Sequence, residues 1–482
     1  MEMIYIFVLA LYFITGTIIA LISRRIGIKS TIDYYVAGYR LSGLLAAMTY
    51  AATTYSAFMM IGLVGFAYAT GIGAFGFENL YLLTTTFLLA FFAPRVWKMA
   101  RERKWVSPAE MIGDLYGSRL LATIVALVYL VALIPYATAQ MVGLGNLLEG
   151  LGLGYTSGVV LGAVIVFLWT YLAGIWSVAS TDAYQGLWMI VAALAFVIWI
   201  ASYLLPLNGI GLSEAFNILG KEGYLGITDF WTPSVFLAFT LPWIFFAVTN
   251  PQAVQRMYMP RDEKALKTMV EYFALFGLAY TVIVTIVGLL ARALTITGVF
   301  PELKDTRDLV TPTLLNMAPP ILGSIVFVSI VAAAISTLDS IILTLSSSAS
   351  RDLYSKLRVT GNRRGELLVG YLIIIALVLI TALIAWFKPG FVVELSVLSS
   401  VILLPLAPIT IIAWMMPEKV GNKPAPAIMS LIIGSIIGLY IAIAYGPKKA
   451  FILTFLGLPA SLWILVVSTL VLIIGLIIMD KK

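Results

Sequence analysis

Ala333, Ser336, Thr337, Ser340, Thr344, Ser347 and Ser348 all lie in the stretch SIVAAAISTLDSIILTLSSSASRDLY, from Ser329 to Tyr354. On a helix at about 100° per residue they share roughly a third of the circumference, a polar stripe running toward Arg351. Asp339 sits at its edge. Hydroxyls and a carboxylate, with no sulfur or imidazole nearby, are hard oxygen donors suited to a small hard cation. The remaining residues are apolar and small, so the helix can lie in a bilayer. There a mid-depth carboxylate costs about 2.5–3.5 kcal/mol and needs a partner, a cavity or an ion. A single Ser or Thr in such a helix more often bonds the i−4 carbonyl or lets a neighbour approach. The Ser336–Thr337 pair with Asp339 on one stripe points further, to one wall of a cation site.

Other polar groups occur at depth. Asp182 opens the sixth apolar run, in AGIWSVASTDAYQG beside Thr181 and Gln185; it reads either as a helix N-terminal cap or as a buried carboxylate. Gln140 follows Tyr136 by four residues in an otherwise apolar run, either helix–helix glue or a solute contact. Glu78, Glu271 and Glu394 fall close to span ends and read as interfacial. Phe58, Trp243 and Phe246 are by residue type core side chains first.

The elements that must position these groups follow from composition. Of 482 residues, 61% are hydrophobic and only 11% charged, with a mean hydropathy of +1.03. Soluble domains are about 25% charged, so the chain is a polytopic membrane protein. It has no cysteine and no histidine, which rules out disulfides, thiol catalysis, His-ligated zinc or haem and His-dependent triads. The net charge of +7 invites no nucleic-acid reading, because no soluble segment is long enough to carry a basic face. The first apolar run lacks a basic leader and a small-residue cleavage site, and reads as a retained membrane helix.

At about 20 apolar residues per span, thirteen spans are expected near 4–23, 42–70, 75–95, 119–148, 155–177, 182–206, 230–250, 268–297, 319–349, 366–387, 391–415, 424–445 and 451–479. Alternating them sorts the 30 Lys and Arg residues sharply. Only Lys221, Arg292, Lys304, Arg307, Lys388, Lys448 and Lys449 fall on one side, and all others, Arg256 and Arg351 included, on the other. The positive-inside rule makes the larger set cytoplasmic, placing the N-terminus outside and the C-terminus inside. One membrane domain, 1–482, is expected. Five spans from 42 to 206 and five from 230 to 415 would have opposite orientations, with 4–23 and 424–479 as extra helices. Each half opens on a helix expected to be broken: TYAATTYSAF, small and polar in mid-membrane, and TLPWIFFAVTNP, bracketed by Pro242 and Pro251. Paired interrupted helices mark transporter sites at the midplane.

Five segments together resemble the sodium:solute symporter family of sodium-coupled proline, pantothenate, monocarboxylate, sialic acid and sugar carriers. They are DYYVAGYRLSG, AATTYSAFMMIGLVGFAYATG, AGIWSVASTDAYQG, NPQAVQRMYMPRDEKALK and AAAISTLDSIILTLSSSASRDLY, in family order from about residue 33 to 354. The resemblance implies an all-α fold of the LeuT-like type, a five-plus-five inverted-repeat core with three extra helices. It implies a sodium site made by the carbonyls of Ala52, Tyr55 and Ala333 with the hydroxyls of Ser336 and Thr337, in agreement with the stripe. A second cation or proton site would match Asp182, Ser336, Asp339 and Ser340. Solute contacts would match Ser56, Phe58, Gln140 and Trp243. Three departures stand out: Thr54 where proline-type members have aspartate, Asp339 where a serine is usual, and Gln252 where a histidine is common.

The expected function is secondary active symport by alternating access. Na+ would bind first, hold the second span against the ninth, and complete a pocket for a small organic solute of amino-acid or monocarboxylate class. The runner-up is proton coupling through Asp182 or Asp339. A solute sensor of the same fold and an intramembrane enzyme are the other classes. The sensor is disfavoured by the lack of any soluble domain, the enzyme by the lack of a nucleophile–base set. No organic cofactor and no nucleic acid are expected, and the chain is expected to be a monomer in the cell membrane.

Overall fold

The computed structural model describes residues 3–24, 30–172, 174–354, 363–450 and 452–480. Arg25, Lys29, Lys356, Arg358, Lys481 and Lys482, which enter the charge count, lie outside them. Helices make up nearly all of the described chain. Among the described residues the departures from all-α are a two-residue antiparallel ribbon, Thr454–Phe455 with Leu458–Pro459, and an isolated Leu41–Pro260 bridge.

Nine described helices are long and apolar enough to cross a membrane, or eleven when each of two sharply bent pairs is one span. The shorter apolar helices Tyr155–Phe167 and Leu372–Trp386 occupy the fifth and tenth expected spans. Each of the thirteen expected positions thus holds helix, and among the described residues length and composition alone carry up to eleven crossings. The helix Pro320–Ser348 lies at the centre. In its most apolar window 83% of the residues are buried, against 17% for the terminal helices Met3–Ser23 and Ala460–Asp480. Helices buried all round must satisfy every polar side chain internally, and this one carries the stripe.

The breaks differ in part from expectation. Gly43–Thr54 and Phe58–Thr70 form one pair bent by 50°, because Tyr55 takes extended angles (φ −93°, ψ 105°). The expected counterpart is interrupted, at Phe245 and at Asn250, yet Pro233–Arg256 runs on as one span. Asn250 is extended (ψ 117°) because Pro251 disfavours helical angles in the residue before it. The second sharp bend, 54°, lies instead between Val392–Leu403 and Leu406–Met415, where Pro405 interrupts the helical hydrogen bonds.

Candidate functional site

A helix that stops in mid-bundle leaves its last carbonyls without intrahelical partners, and this governs the first half of the site. Tyr55 N–H closes on the Ala51 carbonyl at 2.7 Å. The Ala52 carbonyl is met from across the bundle by Ser336 Oγ at 2.9 Å and Thr337 Oγ1 at 3.2 Å. Ser336 Oγ also lies 3.0 Å from the Ala333 carbonyl. Four of the five expected sodium-site residues thus converge on one point, fully buried, and every donor is oxygen. Tyr55 lies in the break itself, but its ring turns away and stacks on Phe273 at 5.8 Å. Gly277 makes room for it: a Cβ there would come within 2.1 Å of the Tyr55 hydroxyl.

Further along the stripe the partners change. Ser340 Oγ is 2.7 Å from Thr53 Oγ1 and accepts a hydrogen bond from Arg256 Nη2 at 2.7 Å. Thr344 donates to Gln255 Oε1 at 2.8 Å, and Gln255 Nε2 reaches Ser347 at 3.2 Å. Both partners come from the short helix Pro251–Arg256. Arg256, counted with the cytoplasmic-side charges, is fully buried. Local sequence hides this, because the residue precedes the surface run Arg261, Lys264, Lys267.

Asp182 is a buried carboxylate and not a cap. Its helix begins at Ile175 on Gly174, two turns earlier than expected. Its Oδ2 accepts from Thr49 Oγ1 at 2.5 Å, while Oδ1 has no hydrogen-bond partner among the described residues. Asp339 is buried on the stripe, and both carboxylates lie within electrostatic reach of Tyr12 on the first helix. Gln185 donates to the Tyr12 hydroxyl at 2.9 Å, so the extra helix Met3–Arg24 covers this region.

The expected solute residues also gather at the break. Gln140 Oε1 accepts the Ala57 N–H at 3.2 Å, and Tyr136 donates to the Thr54 carbonyl at 3.2 Å. These side chains hold freed backbone groups, a positioning role that sequence left open. Ser56 Oγ accepts the Phe58 N–H at 3.1 Å. Phe58 stacks on Trp243 at 5.1 Å between ring centres, and Tyr81 meets Trp243 edge-on at 4.8 Å. Trp243 Nε1 has no partner among the described residues.

Glu78 corrects an expectation. It is fully buried, not interfacial, with neither oxygen hydrogen-bonded among the described residues, and lies within electrostatic reach of Tyr55, Tyr81 and Tyr136. Its helix face Glu78, Tyr81, Leu82, Thr85, at helical spacing, was the available signal. Glu271 is exposed, as expected.

The two ends of the site are held together differently. At one, Arg307 pairs with Glu394, both side chains under a tenth exposed. The guanidinium lies between the rings of Phe66 and Phe391, at 4.8 and 4.5 Å. Glu394 is thus a second supposed interfacial carboxylate that the fold buries. Asp308 accepts the Val392 N–H at 2.8 Å. At the other end the Gln255 network is backed by Arg351–Glu110 at 2.9 Å and by Ser107 donating to Asp352.

Comparison with known proteins accords with this geometry. Residues 34–434 match the sodium:solute symporter family. The sodium/pantothenate symporter of Escherichia coli (strain K12) is 26% identical over 381 residues, 76% of either chain. A sodium/proline symporter of Staphylococcus aureus (strain bovine RF122 / ET3-1) is 24% identical over 396 residues, 78% of this chain and 74% of that one. The solved structure of a Na+-coupled sialic acid symporter in a substrate-bound outward-open state superposes with a TM-score of 0.81 at 19% identity. The match covers 100% of this chain and 98% of that one, and it establishes a shared fold. With the family matched across most of its length, this multi-pass membrane protein is a carrier and not an enzyme, and it belongs to the sodium:solute symporter family.

Proposed function

We propose that the chain couples entry of one small organic solute to sodium bound by Ala52, Tyr55, Ala333, Ser336 and Thr337. The observation that carries this reading is the meeting of Ser336 and Thr337 hydroxyls on the freed Ala52 carbonyl. Those hydroxyls can rotate their protons away and turn lone pairs on an ion. Sodium bound there ties the broken helix to the central helix, and it can bias the cycle only by binding the outward-open form more tightly. The two inverted repeats, 42–206 and 230–415, then rock about the site, with the N-terminus outside, the C-terminus cytoplasmic and the chain acting as a monomer.

The solute sits between Ser56, Phe58, Gln140 and Trp243, and belongs to the amino-acid or monocarboxylate class. The half-helix starting at Phe58 presents an amino end that favours a carboxylate. Pantothenate and proline, for which the relatives are named, both carry one. Glu78 beside Tyr81 supplies an acceptor for an ammonium or hydroxyl group. Phe58 and Trp243, stacked on each other here, must part to admit the solute.

The test is uptake into proteoliposomes of a labelled pool of amino acids and monocarboxylates under a sodium gradient, a proton gradient, or neither. Sodium-driven accumulation that falls at least tenfold in Ser336→Ala/Thr337→Ala is the expected result. Proton-driven accumulation that survives this change and dies in Asp339→Asn would move coupling to Asp182 and Asp339. Binding without accumulation under either gradient would make the protein a sensor.

A further inference from the structure

At the Arg351 end, two stretches far apart in sequence are laced together: 39–41, which leads into the first broken helix Gly43–Thr54, and 259–261, which leaves the interrupted span Pro233–Arg256. Their backbones form a parallel bridge, with Leu41 N–H on the Met259 carbonyl at 3.0 Å and Arg261 N–H on the Leu41 carbonyl at 2.8 Å. One guanidinium closes the joint. Arg101 Nη2 lies 2.6 Å from the Tyr39 carbonyl, 2.7 Å from that of Pro260 and 2.5 Å from that of Arg261. One turn earlier on the same helix, Trp97 donates its Nε1–H to the Pro260 carbonyl at 2.7 Å and lays its ring 4.5 Å from the guanidinium. The turn so held is strained: Ala37, Gly38 and Tyr39 are all left-handed, at φ 54°, 57° and 59°. Such an arrangement persists only where surrounding contacts over-determine it. Tyr39 is gripped at both ends, since its hydroxyl also donates to the Trp105 carbonyl at 2.8 Å.

The seam between the short helix Pro251–Arg256 and the central helix is made otherwise, side chain to side chain: Gln255 with Thr344 and Ser347, Arg256 with Ser340. Contacts of that kind part by rotamer changes. The joint at 39–41 and 259–261 parts only by breaking backbone bonds and stranding carbonyls that a charged donor serves. We propose that Arg101 is a positioning residue for transport: it pins the two segments together, so that this joint stays shut through the cycle and the Arg351 end opens along the Gln255 seam. The inference rests on the alternating-access reading above and adds the place where the two repeats stay joined. Arg101 acts through Gly43–Thr54, whose far end carries the Ala52 carbonyl, and through Pro251–Arg256.

The chain has no cysteine, so Leu41→Cys/Pro260→Cys sets a single disulfide across the joint; bridged backbones lie about 4.8 Å apart, which a disulfide spans. Sodium-driven uptake of the labelled amino-acid and monocarboxylate pool is measured on one proteoliposome preparation, oxidised and then reduced. Uptake is expected to agree within twofold in the two forms; a larger loss that reverses on reduction would overturn the inference. Arg101→Ala is expected to lower the maximal rate at least fivefold, and oxidation of the cysteine pair in that background to restore it, which a mere loss of fold or charge would not allow. R101A at the wild-type rate would overturn the inference as well. Gln255→Cys/Ser347→Cys bridged by mercuric ion is expected to stop uptake until thiol is added, and uptake through that lock would place the opening elsewhere and sink the proposal. Should the Leu41–Pro260 pair fail to give monodisperse protein, spin labels at the exposed positions Arg40→Cys and Lys264→Cys decide: one distance, the same with and without sodium, sustains it, and two distances overturn it. No sodium-driven uptake by the wild type would sink the parent reading, and the spin-label distances would still judge the joint.

Discussion

The Arg307 end and the Arg351 end of the site are held together by opposite means. At the Arg307 end closure is concentrated in one ion pair, Arg307–Glu394, packed between two aromatic rings. At the Arg351 end it is spread over Gln255, Thr344, Ser347, Ser107 and Asp352, with a part-exposed pair at the rim. A buried pair holds firmly only while both partners are present, since removing one strands a charge in a dry site. A distributed polar network loses one bond at a time. The Arg307 end should therefore open as a switch, and the other end by degrees.

The absence of cysteine makes this difference measurable, because one introduced at Ser56 reports access to the pocket without background. The largest effect is expected from Arg307→Ala, which leaves Glu394 buried and unpaired, at a cost of about 3–5 kcal/mol. Thiol labelling from the Arg307 side should rise more than tenfold, and the thermal midpoint should fall. Unchanged labelling would mean that this pair does not hold the closed form. Next comes Gln255→Ala, which strands the Thr344 hydroxyl and the Val106 carbonyl at about 1–3 kcal/mol. Labelling from the opposite side should rise several-fold; a rise equal to that of R307A would erase the contrast. Arg351→Ala removes a part-exposed pair worth about 0–1 kcal/mol, and labelling should change less than twofold, less still in high salt.

The smallest effect is one of acidity. Partial burial pushes the Glu302 carboxyl up, but hydrogen bonds from Arg292 and Tyr68 outweigh it and hold it below the ordinary carboxylate range. A group depressed in the folded chain stabilises fully above its unfolded value, about 4.3, and loses that contribution as pH falls through the folded value. Acidification below about pH 4 should loosen the 298–309 loop slightly at the Arg307 end, as read by hydrogen exchange. Glu302→Gln should abolish that pH dependence.

How much of this was legible depended on whether a residue's role is written locally. Ser336 and Thr337 were found because helical spacing aligns them, and the break because Thr53 to Ser56 is small and polar in mid-membrane. Glu78 and Glu394 read as interfacial, and the burial of Arg256 goes unseen, since each lies near a span end by hydropathy and only tertiary packing buries it. Asp182 reads as a helix start because hydropathy blurs where Ile175–Trp199 begins. The Leu404–Pro405 bend was missed as well, though Pro405 was in view, because a proline marks a kink without giving its angle.

Arg256 also has an electrical meaning. A sodium ion that enters with its solute falls through the membrane field and does work, about 2.3 kcal/mol per charge at 100 mV. At about 1.4 kcal/mol per tenfold, that sustains a roughly fifty-fold accumulation of a zwitterionic solute from voltage alone, whereas with a monocarboxylate anion the charges cancel and voltage adds nothing. A second entering ion would raise the accumulation by a further factor of roughly fifty in either case. A guanidinium anchored to the chain neutralises its carboxylate equally well, but it returns to its starting place in every cycle. It adds nothing to the concentrating power of the carrier.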